Sequence, residues 1–340
     1  MARSLTLAIA GDVMLGRLVN AAIAQYGPAY PWDGLVPLLR QPDLFLVNLE
    51  CALTRETALW HDGEYKVFYF RADPSAVETL RIGCVDFVSL ANNHTLDFGA
   101  AGLLETIAVL DQAGIAHAGA GADLAAARRP ARLQVGGARV SVVAFADYPE
   151  VWAATPTTPG INYTPVSLAP RDFAVIERVL AEARTNADLV VFSIHWGPNM
   201  RARPTDAFRA FARRVIEAGA DLFWGHSAHV VQGIEIWQGK PILYDTGDFV
   251  DDYAVDEALR NDLSALFLVE VTPPAVTGLR LVPVHIRNCQ VTLAKGADRE
   301  WFVRRITELC AEMGTRVVAG PETLEVALPA PAQSPGGEAS

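Results

Sequence analysis

The sequence predicts an α/β protein built as two mixed β-sheets packed face to face with helices outside. Short apolar runs alternate with helix-period segments over nearly the whole length. Between residues 230 and 295 the pattern changes to strands with little helix. That change favours antiparallel pairing and argues against a plain doubly wound parallel sheet. Polar residues of ligand type stand just past the apolar runs, at the sheet edge where α/β proteins bind ligands.

Taken in order, Leu5–Ala10 reads as the first strand and runs into Gly11 and Asp12. Leu44–Val47 is followed by Asn48 and Glu50, and Val85–Leu90 by Asn92, Asn93 and His94. Pro74–Arg81 reads as a short helix, and Gly99–Ala113 as a longer one with Leu103, Ile107 and Leu110 on one face. Val140–Ala146 leads to Asp147, and Leu189–Ile194 leads to His195. Helices are expected at Ala174–Ala183 and Phe208–Ala218, the second closed by Gly219. Leu222–Trp224 stops at Gly225 and leads to His226 and His229. Gly233–Trp237 and Pro241–Tyr244 flank a turn as a hairpin. Leu263–Val271, Leu279–Ile286 and Val291–Leu293 are further strands, and Asp298–Met313 a last helix with Asp298 as its N-cap. The segment Tyr148–Pro170 holds five prolines and reads as a long loop, either a lid or an insertion. One domain over 1–322 is expected, then a Pro/Ala/Gly/Ser-rich disordered tail over 323–340.

At 340 residues the chain buries a large core, and 51% hydrophobic with 20% charged content describes a globular protein. A net charge of −11 leaves no basic surplus for phosphate backbones, so nucleic acid is excluded as a general partner. An anionic substrate, small molecule or peptide or polymer, remains compatible if bound cations reverse the sign locally. No signal sequence, membrane anchor or spanning run is read from the chain, and its cysteines form no CxxC pair. Reduced thiols in the cytoplasm are expected, and the sequence fixes no oligomeric state.

The strand-end residues are Asp12, Asn48, Glu50, Asn93, His94, His195, His226 and His229. Carboxylate, amide oxygen and imidazole together suit a divalent ion such as Mn, Zn, Fe or Mg. Taken singly, each has a plainer role: a helix cap for Asp12, a hydrogen-bonded turn for His226 and His229, a supporting histidine for His94. Their convergence on one edge favours ligation. Arg17, Lys66, Arg71 and Arg201 are candidates for binding a carboxylate or phosphate of the substrate. Asp248 is a candidate polar group on the substrate side. His61, His117 and His285 read as surface or structural residues.

The segments GDVMLGR (11–17), NLECALT (48–54), VDFVSLANNHTLDFG (85–99), SIHWGPN (193–199), GHSAHVVQGIE (225–235) and ILYDTGDFVDDY (242–253) resemble the CapA family of bacterial capsule-synthesis proteins. That family is similar to the calcineurin-like metallophosphatases, and the resemblance implies a metallophosphatase-like αββα sandwich holding one or two divalent ions. It implies that Asp12 and His229 bind a first metal and that Asn93, His195 and His226 bind a second. Glu50 would bridge the two, with His94 as the catalytic general acid. The sequence departs from the metallophosphatase pattern at Met14, where a histidine is usual, at Glu50, where aspartate is usual, and in the wider spacing of His226 and His229. By these departures the second metal site reads as complete and the first as depleted. The activity implied is metal-dependent hydrolysis of a phosphoester or amide bond, connected with poly-γ-glutamate or capsule synthesis. Two alternatives stand beside it: an epimerase with His94 as base, and a non-catalytic accessory protein.

Overall fold

The computed structural model describes residues 4–61 and 66–328, and in it the apolar runs form two large sheets. One sheet runs Val317–Ala319, Leu324–Val326, Ala275–Arg287, Leu263–Thr272, Leu5–Val13, Leu44–Leu49, Phe87–Ser89, Ala116–Ala118. Its half from Leu5–Val13 to Ala116–Ala118 is parallel, and the other half is antiparallel. Asp248–Val250 adds in parallel to Leu5–Val13. The second sheet runs Ile234–Trp237, Lys240–Leu243, Leu222–His226, Leu189–His195, Ala138–Ala146, Ala131–Val135, with a parallel centre and antiparallel edges.

Side-chain alternation along these strands produces the layering. Val140, Val142, Leu189, Val191, Leu222 and Trp224 share one core with Leu7, Ile9 and Leu46 of the first sheet. The intervening Val143, Phe145, Val190, Phe192 and Phe223 pack instead with Phe173, Ile176, Phe211 and Val215. Those last residues belong to the helices Pro170–Arg184 and Asp206–Glu217, which cover the outer face. On the far side Trp32 packs against Phe45 and Phe249, with ring centroids 6.4 and 6.3 Å apart. The result is the expected αββα sandwich. His195 keeps the phase of Leu189 and Val191, and His226 that of Leu222 and Trp224. Both imidazoles therefore face the other sheet.

The structure differs from expectation at several ends. The helix expected from Ala174 begins at Pro170, which suits a first helical turn. The last helix spans Gly296–Glu312 with Lys295 at its N-cap. Asp298 is therefore not the cap; it accepts from Arg260 at 2.9 Å and faces His285 Nδ1 at 3.2 Å. Leu324–Val326 pairs with Ala275–Arg287 inside the stretch set apart on composition as a tail, and residues 329–340 lie outside the described residues. The Tyr148–Pro170 segment is partly structured: Glu150–Trp152 forms a 3-10 turn and Gly160–Ile161 pairs with Ala120–Gly121.

Candidate metal centre

Ile9 pairs with Leu46, but Asp12 pairs with Asn48, so one extra residue enters the first strand between them. Without this bulge Asp12 would point to the outer layer; with it, the carboxylate turns into the space between the sheets. The same register sets Asp12 beside Asp248 on the other neighbouring strand. Gly11 makes the turn possible, because a Cβ there would lie 1.6 Å from the Gly247 carbonyl oxygen. Asp12 N donates to that same oxygen at 3.0 Å.

Two donor groups result, one of Asp12, His195 and His226 and the other of Asp12, Glu50, His229 and Asp248. Within each group, one ligand atom per residue lies within 4.8 Å of the others. In the first, the Nδ1 atoms of His195 and His226 face each other at 3.1 Å, and His226 Nδ1 is 3.7 Å from Asp12 Oδ1. In the second, His229 Nδ1 lies 2.8 Å from Asp248 Oδ1 and 3.4 Å from Asp12 Oδ2. Asp12 is common to both groups. The resemblance gives that shared place to Glu50, whose Oε1 stands 3.9 Å from His195 Nε2.

Whether these residues fit a cation is answered by their unpaired atoms. Glu50 Oε1, Asn93 Oδ1 and Asp248 Oδ2 are buried without a hydrogen-bond partner, and Asp12 Oδ2 has only the 3.4 Å contact to His229. Buried acceptors left unpaired are costly, and a divalent ion would satisfy all of them. The ion-free cluster holds protons that a bound cation would displace: burial works against a charged His229, but Asp248, Glu50 and the contact with Asp12 hold it well above an ordinary imidazole. Burial, reinforced by the charge of Asp12, pushes Glu50 up to about 8, and burial also pushes Asp248 well above the usual carboxylate range. Burial lowers His226 to about 4 and holds His195 well below an ordinary imidazole. Asp12 goes the other way: burial raises it, but the His229 hydrogen bond and the charges of His195 and His226 together bring it to about 2. The residues present fit one or two divalent ions bound by nitrogen and oxygen donors.

Neighbouring groups aim these donors. Asn48 Nδ2 donates to Asp12 Oδ1 at 2.8 Å, and Asn92 Nδ2 donates to Asn48 Oδ1 at 3.1 Å. Ser193 Oγ lies 2.9 Å from His226 Nε2; with the hydroxyl accepting from Nε2–H, Nδ1 presents its lone pair to the cluster. Tyr253 donates to Glu50 Oε2 at 2.9 Å. Met14, the residue that departs from the metallophosphatase pattern, is buried and accepts from Gly16 N at 3.1 Å through Sδ. Asp248 brings a further carboxylate to the group holding Asp12, Glu50 and His229, so that group is not depleted.

The cluster opens on a cavity of about 680 Å³ whose walls include Asn93, His94, His229, Phe68, Phe70 and Trp152. His94 Nδ1 is 2.7 Å from Asp97 Oδ2, and its ring stacks on Phe70 at 3.8 Å between centroids. Burial drives its pKa to about 4 against the pull of Asp97, so the imidazole is neutral near pH 7. With Nδ1–H given to Asp97, Nε2 carries the free lone pair. Asp97 also accepts from Lys66 and, at 2.6 Å, from Phe70 N.

The structure thus gathers Asp12, Glu50, His195, His226 and His229, with Asn93 and His94 on the adjoining wall. Arg17 lines the cavity. Asp248 and Arg71 are not among the lining residues, contrary to their expected place on the substrate side. Asp248 is fully buried in the carboxylate cluster because its strand pairs next to Asp12. Arg71 turns away to donate to Glu56 O at 3.0 Å. Sequence reasoning missed Phe70 and Tyr253 as site residues; Tyr253 closes the ILYDTGDFVDDY segment and Phe70 follows Lys66 by four residues, the only signals that could have suggested them. Trp60 and Trp152 form the cavity roof, edge to face at 5.2 Å.

Residues 6–253 match the family described as bacterial capsule synthesis protein PGA_cap. A probable polyglutamine synthesis accessory protein of Mycobacterium tuberculosis is 35% identical, over 96% of this chain and 96% of that protein. The capsule biosynthesis protein CapA of Bacillus anthracis is 30% identical over 89% of this chain and 73% of its own length. The PGA biosynthesis protein CapA of Bacillus subtilis (strain 168) is 30% identical over 73% and 63% respectively. By the span of the family match and the identity of these relatives, the chain belongs to the PGA_cap family of bacterial capsule synthesis proteins.

Proposed function

We propose that this chain is a metal-dependent hydrolase acting on a phosphoester or amide bond of an anionic substrate in capsule or polyglutamate synthesis. The observation that carries the reading is the pair of buried donor groups sharing Asp12 and opening on one cavity. Bound divalent ions would supply Lewis-acid polarisation of the scissile group and water activation near neutral pH. Asp12, Glu50, His195, His226, His229 and Asp248 would hold them, with Asn93 contributing its unpaired Oδ1. Asp97 fixes His94 with Nε2 toward the cavity, where it takes up a proton and returns it to the leaving group. The four free cysteines suit a reducing compartment, and we assign the protein to the cytoplasm. No helix among the described residues is long and apolar enough to cross a membrane.

The test is metal analysis of purified protein, then chelation and reloading with Mn, Zn, Fe or Mg. Each form is assayed on bis-p-nitrophenyl phosphate, p-nitrophenyl phosphate and a γ-glutamyl anilide. Metal-dependent turnover that disappears in His226→Ala is expected. Metal bound without turnover of any probe would instead favour a non-catalytic accessory role, the reading suggested by the name of the M. tuberculosis relative. Deuterium uptake from heavy water without hydrolysis would point to an epimerase.

A further inference from the structure

Of the basic side chains singled out in the sequence, Arg17 stands on the cavity wall with its bidentate edge unused. Lys66 is engaged by Asn93 O and Asp97, and its ammonium lies 4.4 Å from the Trp152 ring centroid. Arg71 is bound to backbone oxygen and lies over Phe98 at 5.5 Å. Arg17 has a φ of 52°, the left-handed region that a residue with a Cβ adopts only when its surroundings impose it. Asp252 imposes it. Its Oδ2 accepts from Leu18 N at 2.9 Å and faces Arg17 Nε at 3.4 Å. The guanidinium carbon then sits 5.5 and 5.6 Å from the ring centroids of Phe68 and Phe70.

This arrangement occupies the Nε side of the fork and one face of the plane. Among the described residues, Arg17 Nη1 and Nη2 make no hydrogen bond, and its ion pair with Asp252 is closest through Nε. The side chain is 37% exposed while Asp252 is 1% exposed, so the anchor is buried and the fork opens to the cavity. Phe70 contacts both Arg17, at 5.6 Å, and the imidazole of His94, at 3.8 Å between centroids, so one ring joins the fork to the proposed acid/base.

We propose that Arg17 is a specificity-determining residue that reads an oxyanion of the substrate, a carboxylate or a phosphate, through its Nη1/Nη2 edge. An apolar group attached to that oxyanion packs on Phe68, which is 54% exposed, while Phe70 is buried between its neighbours. A planar fork held from behind by a buried carboxylate matches such a group bidentately, which lysine cannot do. The inference rests on the cavity being the substrate site of the proposed hydrolase.

Calorimetry on the full chain as purified tests it, with phenyl phosphate, phenylacetate and neutral 2-phenylethanol as probes. Arg17→Gln is expected to weaken whichever oxyanion is the true match roughly tenfold or more and to leave 2-phenylethanol unchanged. Arg17→Lys should fall between, and Arg71→Gln should bind as the parent does. Metal content and thermal midpoint of the Arg17 variants establish that they are folded. A larger loss for phenyl phosphate assigns the fork to phosphate, and a larger loss for phenylacetate assigns it to carboxylate. Parental affinity for both oxyanions in Arg17→Gln and Arg17→Lys overturns the proposal, as does failure of the parent to bind either. Turnover on the same preparations reports separately on the hydrolase reading: an inactive parent that binds oxyanions through Arg17 defeats that reading alone.

Discussion

Asp12 joins the two halves of the cluster. It accepts from Asn48, contacts His226 and His229, and belongs to both donor groups. Asp12→Asn keeps its shape and removes its charge from both groups at once. Metal titration should show weakened binding for every ion the parent holds. Asn48→Ala, which only frees the carboxylate to move, should weaken metal affinity by roughly 10- to 100-fold, the usual effect of losing a supporting partner. His94 behaves differently, because it is held by Asp97 and Phe70 and belongs to neither donor group. His94→Gln should leave metal content at the parental level and lower kcat by about 10²- to 10⁴-fold. A matching loss of metal would show that His94 supports the cluster instead of transferring protons.

At the scale of elements, the first strand decides the site through its bulge and the close approach of Gly247. Gly11→Ala drives a methyl group into the Gly247 carbonyl oxygen, so the strand pairing beside Asp12 must shift. Denaturant unfolding should show a loss of about 3 kcal/mol, and metal affinity should fall with it. An unchanged unfolding midpoint would mean that the strands are not in this register. The histidine strands were legible beforehand as apolar runs ending at His195 and His226, but which way the imidazoles face was not, because both runs are apolar on either side. The bulge was not. Leu5–Ala10 followed by Gly-Asp gives no sign of an extra residue, and simple alternation sends Asp12 to the wrong face.

Across the whole molecule, the buried charges couple stability to pH. Glu50 of the second donor group, and Asp245, which lies outside both groups and accepts from Ala228 N and Gly247 N at 2.8 Å, are both pushed up to about 8, chiefly by burial and then by the charge of Asp12. Their ordinary values are 4.5 and 3.8, so above these the unfolded chain has lost protons that the metal-free fold still holds. The native state binds more protons, and stability therefore falls as pH rises toward 8. His94 and His226, both lowered to about 4 from 6.5, act in the opposite sense below 6.5 and are silent above it. The clean window is thus pH 6.5 to 8. Thermal unfolding in the presence of a chelator should show a falling midpoint across this window, and metal-loaded protein, in which Glu50 is ionised against a cation, a shallower fall. Parallel curves with and without metal would show that Glu50 does not face a cation.

The sequence alone determined the sandwich and the identity of most donors, because strand alternation and the chemistry of strand-end residues are local properties. Through the side chains on offer it also narrowed the ions such a site could hold to divalent ones that take nitrogen and oxygen donors. Only the tertiary structure decided that Asp12 is shared, that Asp248 joins the carboxylates and leaves the substrate wall, and that Arg17 keeps an open fork where Arg71 does not. Each of those outcomes depends on which strands become neighbours and in what register. That is fixed by packing between residues as far apart as Asp12 and Asp248, and no local pattern reports it.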